Sequence, residues 1–214
     1  MFRGFLIATA LFAVFFLSTC TTINGGITEF DKDDPEYQSV AGMIQDPEFR
    51  QGNLPVRTLR VAVIANEWVG DDFVLATFRD ASESFERQVG IRFEVTLFKG
   101  PKWETRSFAY IHGALREFRV EHPEYDLVFG VSLAYDNDER PCLFGSCYVG
   151  MIDDGRNIAL LTLSPQIILH ETGHAFLGIW HSPYGVMKPI PEGEYFSVAN
   201  RRRILRNKWD DFRY

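Results

Sequence analysis

Cysteine is scarce, three in 214 residues, and that scarcity excludes a disulfide scaffold. Cys142 and Cys147 have no histidine near them in sequence, so they cannot complete a zinc site by themselves. Positive charge is also short. Lys and Arg number 22 against 29 Asp and Glu, for a formal net charge of −7 and a pI near 5.3. Such a chain argues against nucleic acid as a partner, because phosphate binding needs a basic face. Its one dense basic run, Arg201-Arg202-Arg203, reads as the solvated side of a helix. The nearly unbroken apolar run Gly4 to Leu17 is too short to span a bilayer comfortably as a permanent helix. Neither a repeat nor a second domain can be traced. Histidine is rare, with five in the chain, yet three of the five fall between positions 170 and 181. What the chain does have is apolar and aromatic material: 46% hydrophobic and 14% aromatic residues, with 19 Phe. That is enough for one domain with a large core.

The first nineteen residues read as a targeting segment. Arg3 gives a short positive start, the apolar run comes next, and Leu17-Ser18-Thr19-Cys20 closes it. The closing tetrad resembles a bacterial lipobox, in which the cysteine becomes the lipidated N-terminus. Thr19 departs from the usual Gly or Ala, and an ordinary cleaved signal peptide with a chance Cys20 is the alternative. The expectation is an exported protein of the cell envelope, held to a bacterial membrane through lipid on Cys20. Residues 20–55 then read as an acidic tether, with Asp31, Asp33, Asp34 and Glu36, punctuated by Gly25-Gly26, Pro35, Pro47 and Pro55. A short propeptide is the other reading, although it carries no free cysteine to block a metal. In an exported chain Cys142 and Cys147 can form a local disulfide, which leaves Cys20 as the odd one.

Residues 56–214 carry the globular pattern. Leu59 to Ala65 is apolar enough for a central strand. Asp71-Asp72 is expected to cap a helix running to Val89, with Val74, Phe78, Ala81, Phe85 and Val89 inward and Gly90 as its stop. Ile91 to Phe98 alternates as a half-buried strand. A second helix is expected over Glu104 to Glu121, with Phe108, Ile111, Leu115 and Phe118 inward. His112 and His122 on it lack ligand-like neighbours and read as structural or solvated. Tyr125 to Leu133, Tyr148 to Ile152 and Asn157 to Leu163 are three more strands. Ser164-Pro165 opens a further helix, and Phe196-Ser197 opens a last one ending near Lys208.

The chemistry is concentrated in His170 to Met187, HETGHAFLGIWHSPYGVM. Two histidines four apart on a helix share one face, and neutral imidazoles at that spacing reach one zinc ion. Glu171 projects beside the ion and can take a proton from a zinc-bound water. His181, after Gly178, offers a third nitrogen. Three protein ligands and an open position describe a catalytic zinc. The bland alternative is a chance pentapeptide with two histidines on a helix surface.

This segment resembles the zinc-binding region of the metzincin metalloproteases, HExxHxxGxxH and then a Met-turn. Ser182 after the third histidine is most similar to the matrixin branch. The resemblance implies His170, His174 and His181 as zinc ligands, Glu171 as general base and Met187 as the Met-turn residue under the metal. It implies an α+β domain: a mixed, twisted five-stranded sheet, two large helices, a zinc-binding active-site helix and a C-terminal helix. It also implies a zinc endopeptidase acting on protein or peptide substrate. That substrate would lie along the edge strand, here Tyr148 to Ile152. Tyr184, Pro189 and Ile190 would shape the pocket past the cleaved bond. The departure is one extra residue before Gly178: three residues (Ala175, Phe176, Leu177) stand where the family has two. One added helical residue rotates the next stretch of chain by about 100°, so either the helix bulges or the turn after it absorbs the residue. The acidic loop with Asp136, Asp138 and Glu139 could bind calcium as matrixin loops do, but it matches no EF-hand pattern and reads as solvated. Two other readings stay open. One is a zinc peptidase of another class, with Glu192 or Glu194 as third ligand. The other is a non-catalytic envelope protein whose zinc only stabilises a binding surface.

Overall fold

In this computed structural model, the residues described are 54–100, 103, 108–133, 142–143, 146–147, 150–153, 155–191, 193–210 and 212. The apolar run after Pro55 forms strand β1, Arg57–Ala65, two residues longer at its start than the apolar pattern alone marks. Helix α1, Asp71–Val89, comes next and leads into β2, Ile91–Lys99, which pairs parallel to β1. Helix α2, Phe108–Glu121, then carries the chain to β3, Leu127–Val131, parallel to β1 on its other side. A short antiparallel ribbon intervenes, β4 (Cys142–Leu143) with β5 (Ser146–Cys147), and its register sets Cys142 opposite Cys147. The hairpin β6 (Gly150–Asp153) and β7 (Asn157–Leu160) completes the sheet. Strand β7 runs parallel to β3, and β6 antiparallel to β7. The order is β2-β1-β3-β7-β6, a mixed five-stranded sheet with β2 and β6 at its edges. Helix α3, Pro165–Leu177, a 3₁₀ turn, Gly185–Met187, and helix α4, Val198–Asn207, finish the domain. The α+β class with a mixed five-stranded sheet is as expected.

Each sheet face has its own core. Leu59, Val61, Val63 and Phe129 look towards α1, α3 and α4, where Phe78, Phe85, Ile168, Phe176 and Ile204 bury, with Phe196 from the chain just before α4. Ala62, Ile64, Val128 and Ala159 look the other way, onto Ile111 and Leu115 of α2. A strand buried on both faces cannot alternate with polar residues, which is why β1 reads as a continuous apolar run. Phe78 meets Phe129 edge-on at 4.9 Å between ring centres, and Phe85 lies 5.4 Å from Phe196. His112 is buried beside Phe108, and His122 stacks on Phe118 at 4.3 Å, so both serve packing.

Several expectations need correction. The N-cap of α1 is Gly70, with no side-chain cap; Asp71 and Asp72 sit in the first turn, where carboxylates complement the helix dipole. Arg201 is not solvated. It is 3% exposed, and its Nε donates to the Gln88 carbonyl at 3.2 Å. The strand from Asn157 stops at Leu160, because Leu161 to Leu163 bend into the start of α3. The start of the second helix before Phe108, the acidic loop, Tyr148, Cys20, the targeting segment and residues 20–53 lie outside the described residues. No described helix is long and apolar enough to cross a membrane.

Candidate metal centre

Helix α3 starts as its sequence dictates. Ser164 accepts from the Ile167 amide at 3.3 Å, and Pro165 takes the first position, where no amide is needed. The helix is α throughout to Leu177. It therefore carries no bulge, and the turn absorbs the extra residue. Gly178, with φ 76° and ψ −161°, ends the helix in backbone space that only glycine occupies readily. The chain then doubles back, and His181 returns to the helix face that carries His170 and His174.

The three imidazoles converge. Their ligand nitrogens all lie within 4.8 Å of one another, and all three residues are buried. Ring centres are 4.7 Å apart for His170 and His174, 5.1 Å for His170 and His181, and 4.9 Å for His174 and His181. His170 Nδ1–H donates to the Val186 carbonyl at 2.7 Å, and His174 Nδ1–H donates to the Gly178 carbonyl at 2.7 Å. Those two bonds fix the tautomer: each Nε2 keeps a lone pair. The two Nε2 atoms face each other at 3.1 Å. Nitrogens on one tetrahedral zinc stand about 3.3 Å apart, given bonds of about 2.0–2.1 Å. Two lone pairs at this distance repel unless a cation lies between them, so the residues fit one zinc ion.

The electrostatics agree. Burial depresses His170 to about 4, and the Val186 hydrogen bond only partly offsets it. Burial and then the neighbouring His170 depress His181 to about 3. His174 lies well below the usual value, through burial first and then the other two rings. All three are neutral at pH 7, as metal ligands must be. Glu171 is 3% exposed, and burial pushes its carboxyl up to about 8. Its Oε2 is buried without a hydrogen-bond partner.

The segment after His181 folds back against α3. The Ser182 amide donates to the Met187 carbonyl at 2.8 Å, and the Ser182 hydroxyl donates to the Tyr184 carbonyl at 2.5 Å. Met187 is fully buried, and its sulfur packs against Gly173 of α3 so closely that a β-carbon there would collide with it. Phe196 shares that contact, 2.9 Å from the same point. Tyr184 is half-buried, while Pro189 and Ile190 are exposed, Ile190 at 75%. Glu194 is exposed and stands outside the three-histidine group, which withdraws it as a third ligand; Glu192 lies outside the described residues.

Three contributors escaped the motif. Gln88 of α1 is buried; its Nε2 donates to the Glu194 carbonyl at 2.7 Å, and its Oε1 accepts from the Phe196 amide at 2.8 Å. It thereby anchors the segment that supports Met187. The signal was a polar residue in register with the apolar stripe of its helix, three after Phe85. Gly150 on β6 and Gly173 in α3 are the other two. A glycine inside a strand or helix costs stability and signals close approach by another group.

Fold and site together define an α+β domain with a buried three-histidine cluster able to hold one metal ion. No protein-family model and no curated protein matches the sequence. Among solved structures, the chain is similar to archaemetzincin from Methanopyrus kandleri, with 20% identity, a TM-score of 0.47, and 71% of this chain and 96% of that one covered. It is also similar to a chain in the structure of a chaperone-substrate complex, with 12% identity, a TM-score of 0.49, and 71% of this chain covered. This chain spans 34% of that second protein's length. At such scores the chemistry rests on the geometry of the site.

Proposed function

We propose that the chain is a zinc-dependent endopeptidase, with His170, His174 and His181 as metal ligands and Glu171 as general base. The observation that carries this reading is the pair of facing Nε2 lone pairs, 3.1 Å apart, with the carboxyl-bearing Glu171 next in sequence to His170 and buried. A zinc ion held there supplies Lewis acidity to a water and to a peptide carbonyl. Glu171 takes the proton of the attacking water and delivers it to the leaving amine. Burial raises its affinity for a proton, and the charge of a bound zinc ion would draw it back to the ionised form that a base needs. The Val186 and Gly178 carbonyls hold the two helix histidines in the ligating tautomer. Strand β6 lies at the sheet edge, so an extended peptide can add to it as a further strand. Tyr184, Pro189 and Ile190 shape the pocket past the cleaved bond, and Met187 is a floor with no ligand role. The matrixin-like branch rests on Ser182, and attachment to the cell envelope through Cys20 rests on the lipobox-like tetrad.

The test is zinc content and proteolysis of an unfolded protein substrate. Wild type should bind one zinc and cleave. His181→Ala should lose zinc or hold it far more weakly. Glu171→Gln should keep zinc and lose cleavage by several orders of magnitude. Cleavage retained in Glu171→Gln, or unchanged zinc in His181→Ala, would reject the assigned roles.

A further inference from the structure

Gly150 opens β6, and its backbone imposes no need for glycine, since it is absent from the residues with positive φ. An alanine would fit that backbone and strengthen the strand. The obstacle lies elsewhere. A β-carbon at position 150 would stand 2.5 Å from Glu171 Oε1, 2.9 Å from Cγ and 3.0 Å from Cδ. All three of its nearest atoms belong to one side chain, that of Glu171, the residue after His170. Glu171 is itself buried, so its carboxylate cannot simply swing into solvent. Positions 150 and 152 share the strand face towards α3, and Ile152 there joins the same core as Ile168 and Leu169. The carboxylate thus rests directly against the edge strand, in a gap the size of one missing methyl group.

We propose that Gly150 is a positioning residue for the reaction: its missing side chain leaves the seat that the Glu171 carboxylate occupies against the edge strand, so that strand sets where the base stands. The kinetic half of this inference rests on the peptidase reading; the steric half does not. The gap also fixes where a peptide added to β6 runs relative to the base, because the same residue borders both. Catalysis is sensitive to such placement, and a displacement near 1 Å can cost about a hundredfold in rate.

The experiment is a double-mutant cycle on the full chain, read by thermal unfolding, with zinc content measured for each protein. Gly150→Ala should lower the unfolding midpoint on the order of 5 °C, as overpacking does. In a Glu171→Ala background the same change should cost nothing, or should stabilise. If Gly150→Ala alone does not fold, folding of the double variant is the same rescue. An equal penalty in both backgrounds, no penalty in either, or a double variant that stays unfolded overturns the proposal. The second arm is peptide cleavage by Gly150→Ala. A kcat lowered about a hundredfold, with zinc content and KM unchanged, is expected. Coupling in the unfolding cycle with unchanged kcat would overturn the positioning role. Coupling with no cleavage by wild type would uphold the steric seat and reject the peptidase.

Discussion

Gly173 and Met187 show how much of the site depends on one absent methyl group. Gly173 sits inside a helix, where alanine would gain up to about 1 kcal/mol from propensity. Its β-carbon would also drive into the Met187 sulfur and crowd Phe196, and overpacking costs about 1–3 kcal/mol. Overpacking is the larger effect. Gly173→Ala is therefore expected to lower stability by up to about 2 kcal/mol, measured by urea denaturation. A stabilised variant would show that Met187 does not need the gap. At this scale the candidate site was legible, because His170, Glu171, His174 and His181 announce themselves by type and spacing. What they press against was not. A glycine in sequence says that something approaches, and only the fold says that it is Met187 at one position and Glu171 at another.

The element that decides the site is the end of α3. The extra residue before Gly178 was visible as an anomaly, but spacing could not say whether helix or turn would absorb it. The helix stays regular because Ala175, Phe176 and Leu177 are all buried in the core, which holds them in register. The turn had no such constraint and gave way. Gly178→Ala forces an L-residue into φ 76°, ψ −161°, a strain of about 1–3 kcal/mol. It also shifts the carbonyl that orients His174. Zinc affinity is expected to fall about 10- to 100-fold, which competition with a chelator would measure. The far end of α1 contributes too. Gln88→Leu removes both hydrogen bonds to the 194–196 segment and leaves the buried Phe196 amide unpaired, at a cost of about 1–3 kcal/mol. Unfolding should occur at lower denaturant, and zinc affinity should weaken with it. Unchanged affinity would separate that anchor from the metal floor. Arg201 is buried for a related reason. Three arginines in a row suggest water, but Ser197, Asn200, Arg201, Ile204 and Lys208 fall on one buried helical stripe. The carbonyls that make burying Arg201 and Lys208 tolerable belong to Gln88, Val89 and Pro55, far away in sequence.

Across the whole molecule, the buried centre sets an acid limit. His170 and His181 stand at about 4 and about 3 in the fold, against 6.5 when exposed. Below pH 6.5 the unfolded chain therefore binds more protons than the folded one, and stability falls with acid. Glu171 works the other way. Its folded value of about 8 against 4.5 means that the folded chain holds the extra proton, so stability falls as pH rises towards 8. The chelated protein should be most stable near pH 6.5, with the steeper loss on the acid side, where two or more histidines act together. Glu171→Gln should flatten the alkaline limb and leave the acid limb. Urea midpoints between pH 5 and 8 would show this, and an alkaline limb that survives in Glu171→Gln would contradict it.

The sheet order itself was only partly legible: alternating apolar stretches gave the strands, while the central place of β1 came from its two-sided burial. Lys208 was not legible at all. It ends the last helix, is 1% exposed, and donates to the Val89 carbonyl at 2.8 Å and to the Pro55 carbonyl. One ammonium thus joins the end of α1, the entrance to β1 and the final turn of the domain. The consequence is mechanical. A pull arriving through the residues before Leu54 meets that latch first and then runs along the axis of β1. Nine residue pairs hold β1 to β2 and five hold it to β3, all parallel. Against an anchor at the far end of β2 or β3, such a load shears the ladder instead of unzipping it one rung at a time. The fold is thus braced against tension at its N-terminal end, while the histidine cluster on α3 lies outside the strand that would bear the load.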